Sequence, residues 1–179
     1  MFDFLKKIKR KRILQTLLKE KKAKYASFNS IKSVGFAYIV DSIQSYNDLL
    51  SVINDFKEKS YLYTGFVVEK KNEIINETLF NDKNITILKK NELNFVGVPK
   101  SKEFESSITI LRDIFISFNF VSNFTLDFIA LKANTTFTIG LNESSLPIYT
   151  MVIHGNESSV SGGSWYLEQI IHYLKIINK

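Results

Sequence analysis

A chain of 179 residues with 45% hydrophobic and 23% charged side chains is sized for one folded domain whose core needs no staple. It holds no cysteine, which excludes disulfides, thiolate nucleophiles and zinc–thiolate sites together and fits a reducing, cytoplasmic setting. The net charge of +6 hides an asymmetry: residues 1–24 carry ten Lys and Arg against Asp3 and Glu20, whereas the other 155 residues carry 14 basic and 16 acidic groups.

Residues 3–23 lack Gly and Pro and are rich in Leu, Lys and Arg, which predicts a helix. Its apolar residues fall on two sides, Phe4, Leu5 and Ile8 on one and Ile13, Leu14 and Leu17 largely on the other, so the helix needs two surfaces or a bend. "IKSVGFAYIV", Ile31 to Val40, reads as a strand covered on both faces. Ser45–Tyr46–Asn47–Asp48 has the form of a capping box, followed by Leu49, Leu50, Ile53 and Phe56 at helical spacing. Further strands are predicted at Tyr61–Val68 and Asn84–Leu88. The "NELNFVGVPKSKEF" stretch, Asn91 to Phe104, reads as a structured loop, with Gly97 and Pro99 turning the chain and Phe95 and Val98 tucked beneath. Ser101 caps a short helix bearing Phe104, Ile108 and Leu111.

Asp113–Phe120 predicts a central strand, Phe124–Ala133 a short and mostly apolar helix, and Thr136–Gly140 and Tyr149–His154 two more strands. The link between those two is too short for a helical crossover, which predicts an antiparallel edge. In the last helix, Ser164–Ile177, residues Leu167, Ile170, Ile171, Leu174 and Ile177 form one stripe. Trp165, Gln169, His172 and Ile176 form another. A solvated face should not pair Trp with Ile, so this second stripe is expected to be covered by the N-terminal helix or by a second copy.

Strands alternating with helices predict a three-layer α/β/α sandwich, a mostly parallel Rossmann-like or flavodoxin-like sheet of about six strands. It divides as residues 1–26, a basic helical extension, and residues 30–179, a single α/β domain. No stretch reads as a membrane span: the most apolar window, Phe115–Leu131, is broken by Ser117, Asn119, Ser122, Asn123 and Asp127. The N-terminus lacks the apolar run of a secretory leader.

Ligands of such sheets bind beyond the carboxyl ends of the strands. The polar groups there, Asp41, Ser42, Asn94, Gly97, Lys100, Asn119 and His154, form the candidate cleft. No glycine follows the first strand and no Gly-x-x-x-x-Gly-Lys occurs, against a dinucleotide site or a P-loop. Two histidines, His154 and His172, make a poor start for zinc, so no metal and no cofactor is expected. "SGGSW", Ser161–Trp165, offers helix-start amides that could take an anion or simply form a capped turn. Lys6, Lys7, Lys9, Arg10, Lys11 and Arg12 are the candidate polyanion contacts, toward nucleic acid or an anionic membrane surface.

The basic first helix, "KSVGF" (Lys32–Phe36), "NELNFVGVPKS" (Asn91–Ser101), "DIFISF" (Asp113–Phe118), "ALKANTTFTIG" (Ala130–Gly140) and "EQIIHYL" (Glu168–Leu174) resemble an uncharacterised Bacteroidota family defined only as a domain of unknown function. The resemblance spans nearly the whole chain and implies no activity. Asp113–Gly140 is also faintly similar to a strand–helix–strand piece of heptosyltransferase-type glycosyltransferases. The acidic residue usual there is absent, since this chain has Phe118–Asn119. That likeness implies fold alone. The expectation is a non-catalytic or ligand-binding α/β protein whose first helix docks to a polyanion or partner protein. The alternatives are a small enzyme using His154 and the 91–99 loop, and a structural interaction module.

Overall fold

The computed structural model describes residues 2–21, 31–70, 75, 81–154 and 162–177. In chain order the elements are α1 (Phe2–Glu20), β1 (Ser33–Val40), α2 (Ile43–Glu58), β2 (Leu62–Glu69) and β3 (Ile85–Leu88). After a 3-10 turn at Lys90–Glu92 come α3 (Lys102–Ile108), β4 (Ile114–Ser117), α4 (Phe124–Lys132), β5 (Thr138–Gly140), β6 (Met151–Val152) and α5 (Gly163–Ile177).

All six strands are parallel, in the order β3-β2-β1-β4-β5-β6. This is the doubly wound Rossmann order, with its switch point between β1 and β4. The register pairs Val34 with Tyr63 on one side and Ile114 on the other. Period-two alternation splits β1: Val34, Phe36, Tyr38 and Val40 join one core with α2 and α5, and Ala37 joins the other with α1, α3 and α4. Right-handed crossovers running to opposite sides of the switch point put α2 and α4 on opposite faces in this way.

Three expectations change. The β5–β6 pair is parallel, not antiparallel. Its crossover, residues 141–150, contains no helix and instead lays Leu146, Ile148 and Tyr149 into the α4-side core. Gly140 makes this packing fit, because a Cβ there would lie 2.6 Å from the Tyr149 ring. Helix α2 starts three residues early, at a box in which the Ser42 hydroxyl accepts from the Ser45 amide and the Ser45 hydroxyl accepts from the Ser42 amide. Finally, α1 packs against α4 and not against the Trp165 stripe of α5, which lies on the other side of the sheet. Trp165 (39% exposed), His172 and Ile176 face outward.

Helix α4 explains where α1 goes. Every residue from Thr125 to Leu131 is buried, so α4 presents no solvated face and needs a cover on the side away from the sheet. Helix α1 supplies it with buried Leu14 and half-buried Ile13, Leu17 and Leu18. Leu14→Ala is therefore expected to cost about 2–3 kcal/mol in chemical denaturation. A loss under about 0.5 kcal/mol, the size of an ordinary surface change, would mean that α1 is a detachable extension.

Candidate functional site

At the switch-point crevice, where a Rossmann sheet would hold its ligand, the chain packs aromatic side chains of its own. Phe120 packs its ring against Tyr38 and Tyr166, with centroids 5.9 and 5.5 Å away. The Tyr38 hydroxyl donates to Asp48 Oδ2. Burial and that carboxylate push the tyrosine's pKa up. Both Asp48 oxygens also accept from the Gly163 amide, at 2.8 and 2.9 Å. Of the two readings of the "SGGSW" helix start, an anion site or a capped turn, the structure shows the Gly163 amide met by the protein's own Asp48; Ser161 lies outside the described residues.

The remaining groups of the candidate cleft are spread out and mostly engaged. The Asp41 amide donates to the Ser45 hydroxyl at 3.0 Å, and Lys70 approaches the Asp41 carboxylate at 3.8 Å. Ser42 is the cap of α2. Asn119 is buried; its Oδ1 accepts from the Leu141 and Asn142 amides and its Nδ2 donates to the Asn142 carbonyl. It ties β4 to β5. His154 is exposed, 3.5 Å from Glu143. It follows β6 at one edge, whereas the 91–99 loop springs from β3 at the other, five interstrand spacings or about 24 Å away. That loop reaches across only as far as the start of α4, so His154 and the loop are not brought together. Lys100 is exposed.

The loop itself has a different occupant. Asn94 Oδ1 accepts from the amides of Val96, Gly97 and Val98, at 3.0, 3.1 and 3.0 Å, and Gly97 turns the chain at φ +98°. Winding the backbone about Asn94 buries Val96 and turns Phe95 outward, 65% exposed; Val98 is half-buried. Phe95 is therefore not tucked under the loop. The Val96 carbonyl points at α1 and accepts from Arg10 Nε at 2.7 Å. The Arg10 guanidinium also sits 4.9 Å from the Phe124 ring centroid, and Lys9 Nζ lies 4.7 Å from that of Phe95. A Cβ on Gly97 would come within 2.9 Å of Thr125 Oγ1 and 3.3 Å of Arg10. The loop is the seat of the basic helix.

Two further clusters were missed by sequence reasoning. Asp127, buried within α4, accepts from Tyr149 at 2.6 Å and Ser144 at 2.9 Å, and Tyr149 also reaches Ser117 at 3.2 Å. Burial raises the Asp127 pKa. A lone acid in an otherwise apolar helix was the available signal. At the other end of α4, Lys21 Nζ donates to the Ala130 carbonyl at 2.9 Å, one of the carbonyls a helix end leaves over. A cleft of about 470 Å³ opens beside it, bordered by Leu17, Lys21, Lys132, Asn134 and Thr136. Among the described residues no group of three or more His, Asp or Glu could hold a metal ion. No described helix is long and apolar enough to cross a membrane.

The outward side of α1 remains. Lys7, Lys9, Lys11 and Arg12 are exposed, and Lys6 and Arg10 are half-buried; Lys22 and Lys24 lie outside the described residues.

Arg10→Ala should cost about 1.5–3 kcal/mol, the range for a hydrogen bond to a charged group, and should speed tryptic cleavage within residues 6–21. Unchanged proteolysis would show that Leu14 and its neighbours hold α1 alone. Lys21 gives a pH signature. Burial pushes its amine from 10.5 down to about 8. Below about pH 8 both folded and unfolded chains are protonated, and the cost of the buried charge is present in full. Between about pH 8 and 10 the unfolded chain holds the proton and the folded one does not, so stability rises with pH, by about 2–3 kcal/mol. Above about pH 10 it falls, because burial keeps Tyr38 and Tyr149 protonated in the fold while unfolded tyrosines ionise. Urea midpoints from pH 7 to 10 should show the rise in the native chain and not in Lys21→Met. Parallel curves would place the Lys21 amine in solvent.

Residues 6–177 match the model of a family of unknown function, DUF6913. No curated protein and no solved structure matches the chain.

Proposed function

The chain belongs to that family, and from its own geometry we propose a binding protein, an α/β body that holds a cationic helix in fixed orientation for a polyanionic partner. One observation carries this reading. Helix α1 is clamped to the body along its inner side by Arg10, Leu14 and Lys21, while Lys7, Lys9, Lys11 and Arg12 stay exposed. A helix fixed in this way presents its charges without the entropy cost of ordering a loose arm at the moment of binding.

A site at the switch point is disfavoured by the same geometry. The crevice holds Phe120, and its nearest helix starts are already capped by Ser42 and Asp48.

The test is binding of the full chain to immobilised heparin across a salt series. Affinity should fall linearly on logarithmic axes, on the order of a hundredfold between about 50 and 200 mM salt for about four neutralised charges. Lys7→Glu, Lys11→Glu and Arg12→Glu together should remove binding and leave the urea midpoint in place, because these three side chains are exposed and none of them holds α1 down. Binding that ignores salt, or survives the triple reversal, would end the reading.

A further inference from the structure

Helix α1 has two apolar stripes, and the body covers one. Ile13, Leu14, Leu17 and Leu18 pack on α4. Phe4, Leu5 and Ile8 lie roughly 150° away around the helix. Phe4 is 68% exposed, Leu5 57% exposed and Ile8 half-buried. Lys9, Lys11 and Arg12 border this patch on the next turn. Two other segments bring apolar side chains to the same end of the molecule. Phe95, 65% exposed, lies under Lys9. Val121, 74% exposed, lies in the loop entering α4, three residues before the Phe124 ring that carries Arg10. Outward apolar groups and cations are thus interleaved at one tip.

We propose that this tip is a membrane-surface contact, in which Phe4, Leu5 and Ile8 enter the headgroup–acyl boundary of a bilayer rich in anionic phospholipid while Lys7, Lys9, Lys11 and Arg12 meet its phosphates. The proposal rests on the polyanion reading above and names the polyanion. A nucleic-acid backbone would use the cations and could stack on Phe95, but it has no use for Leu5, Ile8 or Val121, whose aliphatic side chains offer no ring face. An interfacial helix needs both sets: apolar residues for the acyl boundary and basic residues for the surface. Each lysine near an anionic surface strengthens partition about fivefold, and the cations beside the patch act together.

The experiment sediments the full chain with vesicles of roughly seven parts phosphatidylcholine to three parts phosphatidylglycerol, and with pure phosphatidylcholine. The intact protein should pellet with the anionic vesicles and stay in solution with the neutral ones. Phe4→Ser with Leu5→Ser, two exposed changes away from the α4 seat, should weaken vesicle binding at least tenfold and leave the heparin salt curve unmoved. A separate chain carrying Leu5→Trp and Trp165→Phe should shift its emission to the blue on anionic vesicles alone. Vesicle binding unaffected by the double serine variant would overturn insertion. Heparin binding without vesicle binding by the intact protein would overturn the membrane and keep the polyanion reading. Binding to neither would remove both. Concentration-dependent dimers that vanish in the double variant would assign the patch to a second copy of this chain instead.

Discussion

A mostly apolar α-helix with no polar face has to be covered all round, and α4 is such a helix, buried from Thr125 to Leu131 with its one buried acid paired. The sheet takes one side of it and the 141–150 crossover, with Tyr149 on Asp127, takes another. Phe104 of α3 meets Phe128, the 91–99 loop meets Thr125, and α1 packs on what is left. The fold is therefore a three-layer sandwich with a fourth layer over one helix. The basic segment that looks like an extension by charge places Leu14 in the core beside α4.

That arrangement changes where function can reside. The strand order makes the gap between β1 and β4 the place for a ligand, and in this chain aromatic rings and Asp48 occupy it. An anion arriving at the start of α2 or α5 would find the first amides already satisfied by Ser42 or Asp48, with the negative charges of Asp41 and Asp48 close by. The positive end of the molecule is instead α1, outside the sheet altogether. Its orientation is set by the loop after β3 and by both ends of α4.

The layers were legible in the sequence because parallel strands buried on both faces show apolar residues at both parities, as Phe36 and Ala37 do in β1. The helix faces of α2 and α5 were legible for the same kind of reason. The β5–β6 direction was not. A ten-residue crossover without a helix depends on Tyr149 fitting over Gly140, a contact between residues whose spacing carries no period. In the candidate cleft, Ser42 and Asn119 had the right position and a different task, because a polar side chain at a strand end is as useful for holding loops as for holding a ligand. Phe95, expected beneath the loop, turns outward because Asn94 gathers three amides at once, and no apolar pattern in the loop announces that winding. The two-sided pattern of α1 was visible, but its partner was sought on α5. The mostly apolar stretch Thr125–Leu131, with no polar face, was the clue that pointed to α4.

Six cations in seven residues, Lys6 to Arg12, would ordinarily keep a helix off a protein surface. Two features make the docking workable. Arg10 and Lys21 are eleven residues apart, about three turns, so they emerge on the same side, and each finds a main-chain carbonyl: Val96 beside the start of α4 and Ala130 in its last turn. Charge is thus spent where the body offers unpaired oxygen. Arginine suits the first position because its planar fork can lie on the Phe124 ring and donate through Nε together, which an ammonium cannot do. Lysine suits the second because a single long donor reaches a single carbonyl at the negative end of the helix dipole. With those two anchors fixed, the rotation of α1 is fixed, and the cations that lie off the inner side, Lys9 and Lys7 before Arg10 and Lys11 and Arg12 after it, are left exposed. The outward charge of the helix is in this sense a consequence of how α4 is buried.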